Sequence, residues 1–163
     1  MISYIGIGSN LGDSKQTIRS ALQNLNAHSS IVLESHSHFY QSKPHGPQDQ
    51  PDYLNAVAKI NTSLSPLHLL HALQAIENEH DRVRTKHWGP RTLDLDILVY
   101  EGQTLNTDHL TIPHPYMRER PFVIHPMYEI SPDFVFDDGQ SLAELVTLSP
   151  KDELNKLEPI DVL

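Results

Sequence analysis

The chain has 163 residues, 38% hydrophobic and 20% charged, which suits one globular domain with a single core and excludes a disordered chain. Its formal net charge of −9 argues against a general nucleic-acid binder, which needs clustered lysine and arginine to release counterions. The absence of cysteine excludes disulfides and thiolate chemistry, and no apolar run is long enough for a membrane span.

The N-terminus, M-I-S-Y-I-G-I-G, has no basic leader region and reads directly as a strand over residues 2–8, so a cytoplasmic protein is expected. S-N-L-G-D then forms a turn, with Asp13 or Ser14 able to cap a helix. Ile18, Ala21, Leu22 and Leu25 recur at helical spacing and predict an amphipathic helix over 14–27. Ile31, Leu33, Ser35, Ser37 and Phe39 alternate with their neighbours, predicting one long strand to about Tyr40. S-K-P-H-G-P-Q-D-Q-P-D, rich in proline, is a loop of the length that often carries function. A strand follows over 53–62. Ser65 and Pro66 then start a helix whose apolar stripe is Leu69, Leu73, Ile76 and His80. Residues 81–91 form a second loop and 92–100 a strand. The last third reads as prolines, short strands and one helix near 140–147. The order β-α-β-β-α-β predicts an α+β, ferredoxin-like antiparallel sheet with helices on one face, extended by the C-terminal residues into one domain over 1–163.

The chemistry concentrates in R-V-R-T-K-H-W-G-P-R-T-L-D-L-D-I-L-V-Y, residues 82–100. Asp94 and Asp96 alternate with Leu93, Leu95 and Ile97, so on a strand they share a face with Cα atoms about 6.6 Å apart. At an effective dielectric near 20, such a pair repels by about 2–3 kcal/mol unless water, arginine or a cation compensates. Arg82, Arg84, Lys86 and Arg91 lie just upstream. Carboxylates for divalent metal beside guanidinium groups for phosphates are the parts of a phosphoryl-transfer site. On these residues alone, a solvated polar strand face explains the pattern equally well. Gly6, Gly8 and Gly12 have neither the spacing nor the element order of a dinucleotide fingerprint, and read as a tight strand-to-helix turn. There is no G-x-x-x-x-G-K-[ST] and no H-E-x-x-H. Of eleven histidines only His114, in P-H-P, sits in a rigid loop after the acidic strand.

G-P-R-T-L-D-L-D-I-L at 89–98 resembles the signature of the 6-hydroxymethyl-7,8-dihydropterin pyrophosphokinases of folate synthesis. I-G-S-N-L-G at 7–12, G-P-Q-D-Q-P-D-Y-L-N-A at 46–56, E-x-x-x-x-R-x-R at 77–84, P-H-P at 113–115 and R-x-F-V-I-x-P at 120–126 match in order. The resemblance spans residues 2 to about 136. The last 25 residues match weakly and are expected to be dispensable to the chemistry. The resemblance implies transfer of pyrophosphate from ATP to the pterin hydroxymethyl oxygen, releasing AMP, with two Mg²⁺ ions held by Asp94 and Asp96. It implies Arg82 and Arg91 as catalytic arginines. Gln74, Glu77, Arg84, Trp88, Ile97, His114 and Arg120 would serve ATP. Gly8, Ser42, Lys43, His45, Tyr53, Asn55, Trp88 and Phe122 would serve the pterin, Tyr53 and Phe122 by stacking and Asn55 by reading its amide-like edge. The expected partners are two small molecules, without nucleic acid or membrane, and the expected state is a monomer. A two-metal phosphodiesterase or nuclease using the same aspartates with water, or a non-catalytic nucleotide-binding or RNA-binding ferredoxin-like module, are the rival classes.

Overall fold

The computed structural model describes residues 1–10, 12–43, 52–81, 93–149 and 154–162. Strand β1 (Ile2–Ser9) is central and pairs antiparallel with β4 (Tyr53–Thr62) on one side and β5 (Asp94–Tyr100) on the other. Beyond β4 lie β2 (Ile31–His36) and β3 (Tyr40–Ser42), and β8 (Leu154–Lys156) closes the far edge. Helix α1 (Ser14–Ala27) follows β1 and α2 (Pro66–Asp81) follows β4. With β2 and β3 counted as one interrupted strand, this is the ferredoxin-like order expected from the sequence.

Both helices start where the side chains dictate. Asp13 accepts from the Gln16 backbone N–H at 3.2 Å, and Ser65 accepts from that of His68 at 3.2 Å ahead of Pro66. The inward stripe of α1, Ile18, Ala21, Leu22 and Leu25, is fully buried. It packs with Leu69, Leu73 and Ile76 of α2 against Ile5, Ile7, Ala58, Ile60, Leu95 and Ile97 of the sheet. His80 ends the α2 stripe with a polar bridge. Its Nδ1 donates to the Ile76 carbonyl (2.8 Å), and its Nε2 accepts from Ser20 Oγ on α1 (3.1 Å).

The long strand expected over 31–40 is broken. Its register with β4 shifts between Leu33 and Ser35, and residues 37–39 leave the ladder. Ser37 makes the break tolerable: its N–H donates to the Val57 carbonyl at 2.9 Å, and its Oγ accepts from the Val57 N–H at 3.0 Å. Phe39 turns its backbone to the C-terminal tail instead, donating to the Glu158 carbonyl and accepting from Leu157 N–H at 2.7 Å. Alternation in the sequence shows the faces of such a segment but not which neighbour takes its hydrogen bonds.

The second face of the sheet is also covered, which the sequence reading did not anticipate. Helices α3 (Pro121–Ile130) and α4 (Leu142–Leu148) pack there, whereas the sequence predicts a single helix, near 140–147, in this third of the chain. Val123, Ile124, Met127 and Leu142 form a second core with Tyr4, Val57, Leu98 and Phe136. Prolines at both ends of R-P-F-V-I-H-P disguise α3. Pro121 is harmless at the first helical position, whereas Pro126 inside removes one backbone bond. Burial of Val123, Ile124 and Met127 outweighs that loss. Between β5 and α3 a short hairpin pairs β6 (Leu105–Asn106) with β7 (Thr111–Ile112), and a 3₁₀ turn spans Met117–Glu119.

The tail after β8 lies along α1. Arg19 Nε donates to the Asp161 carbonyl at 3.0 Å, Lys15 pairs with Glu158, and Ile160 is buried against the main core. The Lys15–Glu158 pair is exposed and contributes little, so Ile160 is the anchor. Ile160→Ala should lower unfolding stability by about 2–3 kcal/mol, read from urea melts, while turnover per folded molecule at 25 °C stays within twofold of the parent.

Candidate active site

Strand register builds the site. On the α3 face of the sheet, Asp94 lies across from Gly8 and Gly8 from Asn55; one pair further along, Asp96 lies across from Gly6 and Gly6 from Val57. The glycines between the carboxylates and β4 leave a trough. A Cβ on Gly6 would come within 3.3 Å of Leu98 Cδ2, and one on Gly8 within 3.4 Å of Asn55 Oδ1. Asn55 is buried, and its Nδ2 donates to Ser42 Oγ at 2.9 Å, which turns its carbonyl oxygen over Gly8. The trough is walled by Ser42, Lys43 and Tyr53 on the β3–β4 side and by Arg120, Phe122 and Val123 at the start of α3.

A bulge follows the second aspartate. The β1–β5 register slips between Tyr4 and Ile5, so Leu98 is the extra residue and tucks under Gly6. Its carbonyl accepts from the His114 N–H at 2.9 Å, which seats the P-H-P loop against β5. A second cleft opens there, lined by Leu70, Ile97, Thr107, Leu110, Thr111 and His114 among others, and Asp96 lines both clefts. His114 Nδ1 accepts from the Tyr116 N–H at 3.2 Å, so its proton belongs on Nε2. Burial, opposed by the Asp96 carboxylate and aided by the Arg120 guanidinium, holds the His114 pKa below the usual histidine value. Arg120 also stands 5.6 Å from the Tyr116 ring centre and 5.7 Å from that of Phe122.

Most of the residues expected from the sequence converge here. Gly8, Ser42, Lys43, Tyr53, Asn55, Asp94, Asp96, Arg120 and Phe122 share the first cleft, and Asp96, Ile97 and His114 the second. Gln74 is exposed on α2 and lines neither. Glu77 also lies outside both clefts, and its Oε2 accepts from the Leu95 N–H at 2.8 Å, holding the strand between the two aspartates. His45, Arg82, Arg84, Trp88 and Arg91 lie outside the described residues. Leu98, Val123 and the wall made by Thr107, Leu110 and Thr111 were not foreseen. T-x-x-L was the available signal, since Thr107 Oγ1 accepts from Leu110 N–H at 3.1 Å and sets that turn.

Two clefts that meet at one exposed carboxylate leave room for two small ligands on either side of Asp96. The family model for 7,8-dihydro-6-hydroxymethylpterin-pyrophosphokinase (HPPK) matches residues 4–132. The 2-amino-4-hydroxy-6-hydroxymethyldihydropteridine pyrophosphokinase of Haemophilus influenzae is 50% identical over 96% of this chain and 98% of its own length. That of Pseudomonas aeruginosa is 44% identical over 94% and 95%. A solved chain of Plasmodium falciparum HPPK-DHPS aligns at a TM-score of 0.73 and 12% identity. It is covered for 48% of its length by 95% of this chain, so this chain spans about half of it, and the likeness speaks for the fold. The chain belongs to the 7,8-dihydro-6-hydroxymethylpterin-pyrophosphokinase family.

The His114 environment sets a titration. Its folded pKa lies below the unfolded one, so its contribution to stability is complete above the ordinary histidine value and is lost as pH falls toward the folded value. In metal-free protein, NMR of the ring should give a midpoint below the usual histidine range. Asp96→Asn should move it lower still, because the Asp96 carboxylate favours the charged ring and pulls the pKa upward. A midpoint unmoved by that substitution would separate His114 from Asp96.

Proposed function

We propose that the two clefts divide the substrates of a pyrophosphokinase, the pterin lying in the glycine trough and ATP beside β5, with Asp96 between them. The shared position of Asp96 carries this reading. In the reaction the pterin hydroxymethyl oxygen bonds to the β-phosphorus of ATP, the bridging oxygen between the α- and β-phosphorus departs with AMP, and the hydroxyl proton is released. There is little covalent work for the protein; positioning and charge neutralisation are its tasks.

The trough suits a flat, amide-like bicycle. Asn55, fixed by Ser42, offers a carbonyl acceptor at the floor, and Tyr53 and Phe122 offer aromatic faces from opposite walls. Asp94 and Asp96 present hard oxygen donors on one strand face, Asp94 half-buried and Asp96 exposed. No group of three or more metal-ligating side chains occurs among the described residues. That donor set fits Mg²⁺, which is held by one or two carboxylates together with substrate phosphates and water. Two bound ions would neutralise phosphate charge and orient the reacting oxygens. His114 would donate from Nε2 to a phosphate or ribose oxygen, and Arg120 would contribute a fixed positive charge between the clefts. Arg82 and Arg91 would act as the catalytic arginines, Arg84 would serve ATP, Trp88 both ATP and the pterin, and His45 the pterin, on the strength of their motifs alone. Ile97 would line the nucleotide side. Gln74 and Glu77 would act on ATP only through the position of α2 and β5. The chain would work as a cytoplasmic monomer on small molecules. No helix among the described residues is long and apolar enough to cross a membrane.

The direct assay is incubation with ATP, Mg²⁺ and the reduced pterin: AMP should appear and ADP should not. Hydrolysis without pterin would point to a two-metal phosphodiesterase or nuclease instead. Asp96→Asn should lower turnover by at least a thousandfold with the fold intact by circular dichroism; near-parental turnover at ordinary Mg²⁺ would remove Asp96 from the site. Asn55→Ala should weaken pterin binding by about 1–3 kcal/mol, roughly ten- to a hundredfold, because a polar ligand edge loses its fixed partner. Gly8→Ala should have a smaller effect in the same direction, crowding the Asn55 oxygen 3.4 Å from the new methyl group.

A further inference from the structure

Outside the clefts, one polar cluster ties α3 to the sheet. Glu129, near the end of α3, accepts from the His38 backbone N–H at 3.1 Å, from His38 Nδ1 at 2.6 Å and from Tyr40 Oη at 2.8 Å. Lys156 Nζ on β8 stands 3.9 Å away. The Glu129 side chain is only 19% exposed, and Tyr40 is 5% exposed. Burial alone would raise the Glu129 pKa, but the hydrogen bonds from His38 and Tyr40 outweigh it and hold the carboxyl below its usual value. The same carboxylate and burial push the Tyr40 phenol well above its ordinary value.

The placement of this cluster gives it a task. Phe122 lies seven residues before Glu129, two helical turns away on the same side of α3. On the sheet side, Tyr40 is the ladder partner of Asn55, and Ser42 of Tyr53. The aromatic wall on the helix and the reading and stacking groups on the sheet are thus the two sides of one slot. Glu129 spans that slot's far end. The ladder bonds of the three-residue β3 run in the sheet to β4 and β8, so side-chain contacts such as these set its distance from α3. Charge-assisted bonds of this kind are short and directional.

We propose that Glu129, with His38 and Tyr40, is a positioning clamp that sets the width of the pterin slot, holding Phe122 at stacking distance from the Tyr53–Asn55 wall. This rests on the assignment of the glycine trough to the pterin. The clamp touches no substrate, so its loss should change recognition of one substrate and leave the chemistry alone.

The test is a steady-state comparison of Glu129→Gln and Tyr40→Phe with the parent, varying each substrate separately. Glu129→Gln keeps the size and an acceptor but loses the charge; Tyr40→Phe removes one bond without altering charge. The expected result for both is a five- to twentyfold rise in pterin KM, with ATP KM and kcat within about twofold of the parent. Leu25→Ala, which destabilises the core under α1 on the opposite face of the sheet, should leave both KM values unchanged and so separates slot geometry from general stability. A pterin KM unchanged in Glu129→Gln and Tyr40→Phe would overturn the clamp, as would equal rises in both KM values. If Glu129→Gln does not fold, Tyr40→Phe decides alone. Asn55→Ala run in parallel distinguishes the two assignments. If it raises pterin KM and the clamp variants do not, only the clamp fails; if it too has no effect, the trough is not the pterin site.

Discussion

The register of β1 against its two neighbours is the constraint on which the rest depends. With Gly8 set between Asp94 and Asn55, and Gly6 between Asp96 and Val57, the α3 face has acidic groups at one side, no side chains in the middle and amide chemistry at the other. A one-residue slip of β1 would replace both glycines by Ile5 and Ile7 and send the aliphatic pair out of the main core. The core thus enforces the site: the burial that keeps Ile5 and Ile7 inward is what keeps the trough empty.

The same alternation explains how one thin sheet serves two tasks. Leu95 and Ile97 are buried under α1 and α2, while Asp94 and Asp96, one residue away, face the clefts. No buried unpaired charge is required, because Asp96 is exposed and the strand between the carboxylates is fixed through the backbone by Glu77. The bulge at Leu98 then ends the regular ladder where the chain must turn to bring His114 back beside Asp96.

Much of this was readable from the chain. The period of Ile18, Ala21, Leu22 and Leu25, the Ser65–Pro66 start and the D-L-D-I-L-V-Y alternation each follow from local physics, and the structure keeps them. The matched motifs named Tyr53, Asn55, Arg120 and Phe122 before any geometry was available, and the fold gathers them at one cleft. What was not readable depends on partners distant in sequence. The break at residues 37–39 exists because the tail, about 120 residues later, takes the hydrogen bonds of Phe39. Helix α3 survives two prolines because of what it covers, which local propensity does not record. Glu129 had no motif to announce it; its importance comes from His38 and Tyr40 on another element. The arginine-rich segment 82–91, the strongest chemical signal in the sequence, lies outside the described residues, so its role is read from the motif.

The contact of Glu77 with the Leu95 amide also bears on the edge of the sheet. The outermost strand of an open sheet offers unpaired amides and carbonyls, and such a row is a template on which another molecule's backbone can grow. Here β5 is that strand, with one of its outward amides taken by the Glu77 carboxylate and one of its outward carbonyls by the His114 amide. At the opposite margin the three residues of β8 cover β3 and are themselves too short to seed much pairing. The margin at β5 is thus blunted by groups beside the clefts and that at β3 by β8, while β2 pairs with β4 alone among the described strands. Beside the trough, the margin at β5 offers the backbone of another molecule fewer open hydrogen-bonding groups than a bare edge strand would.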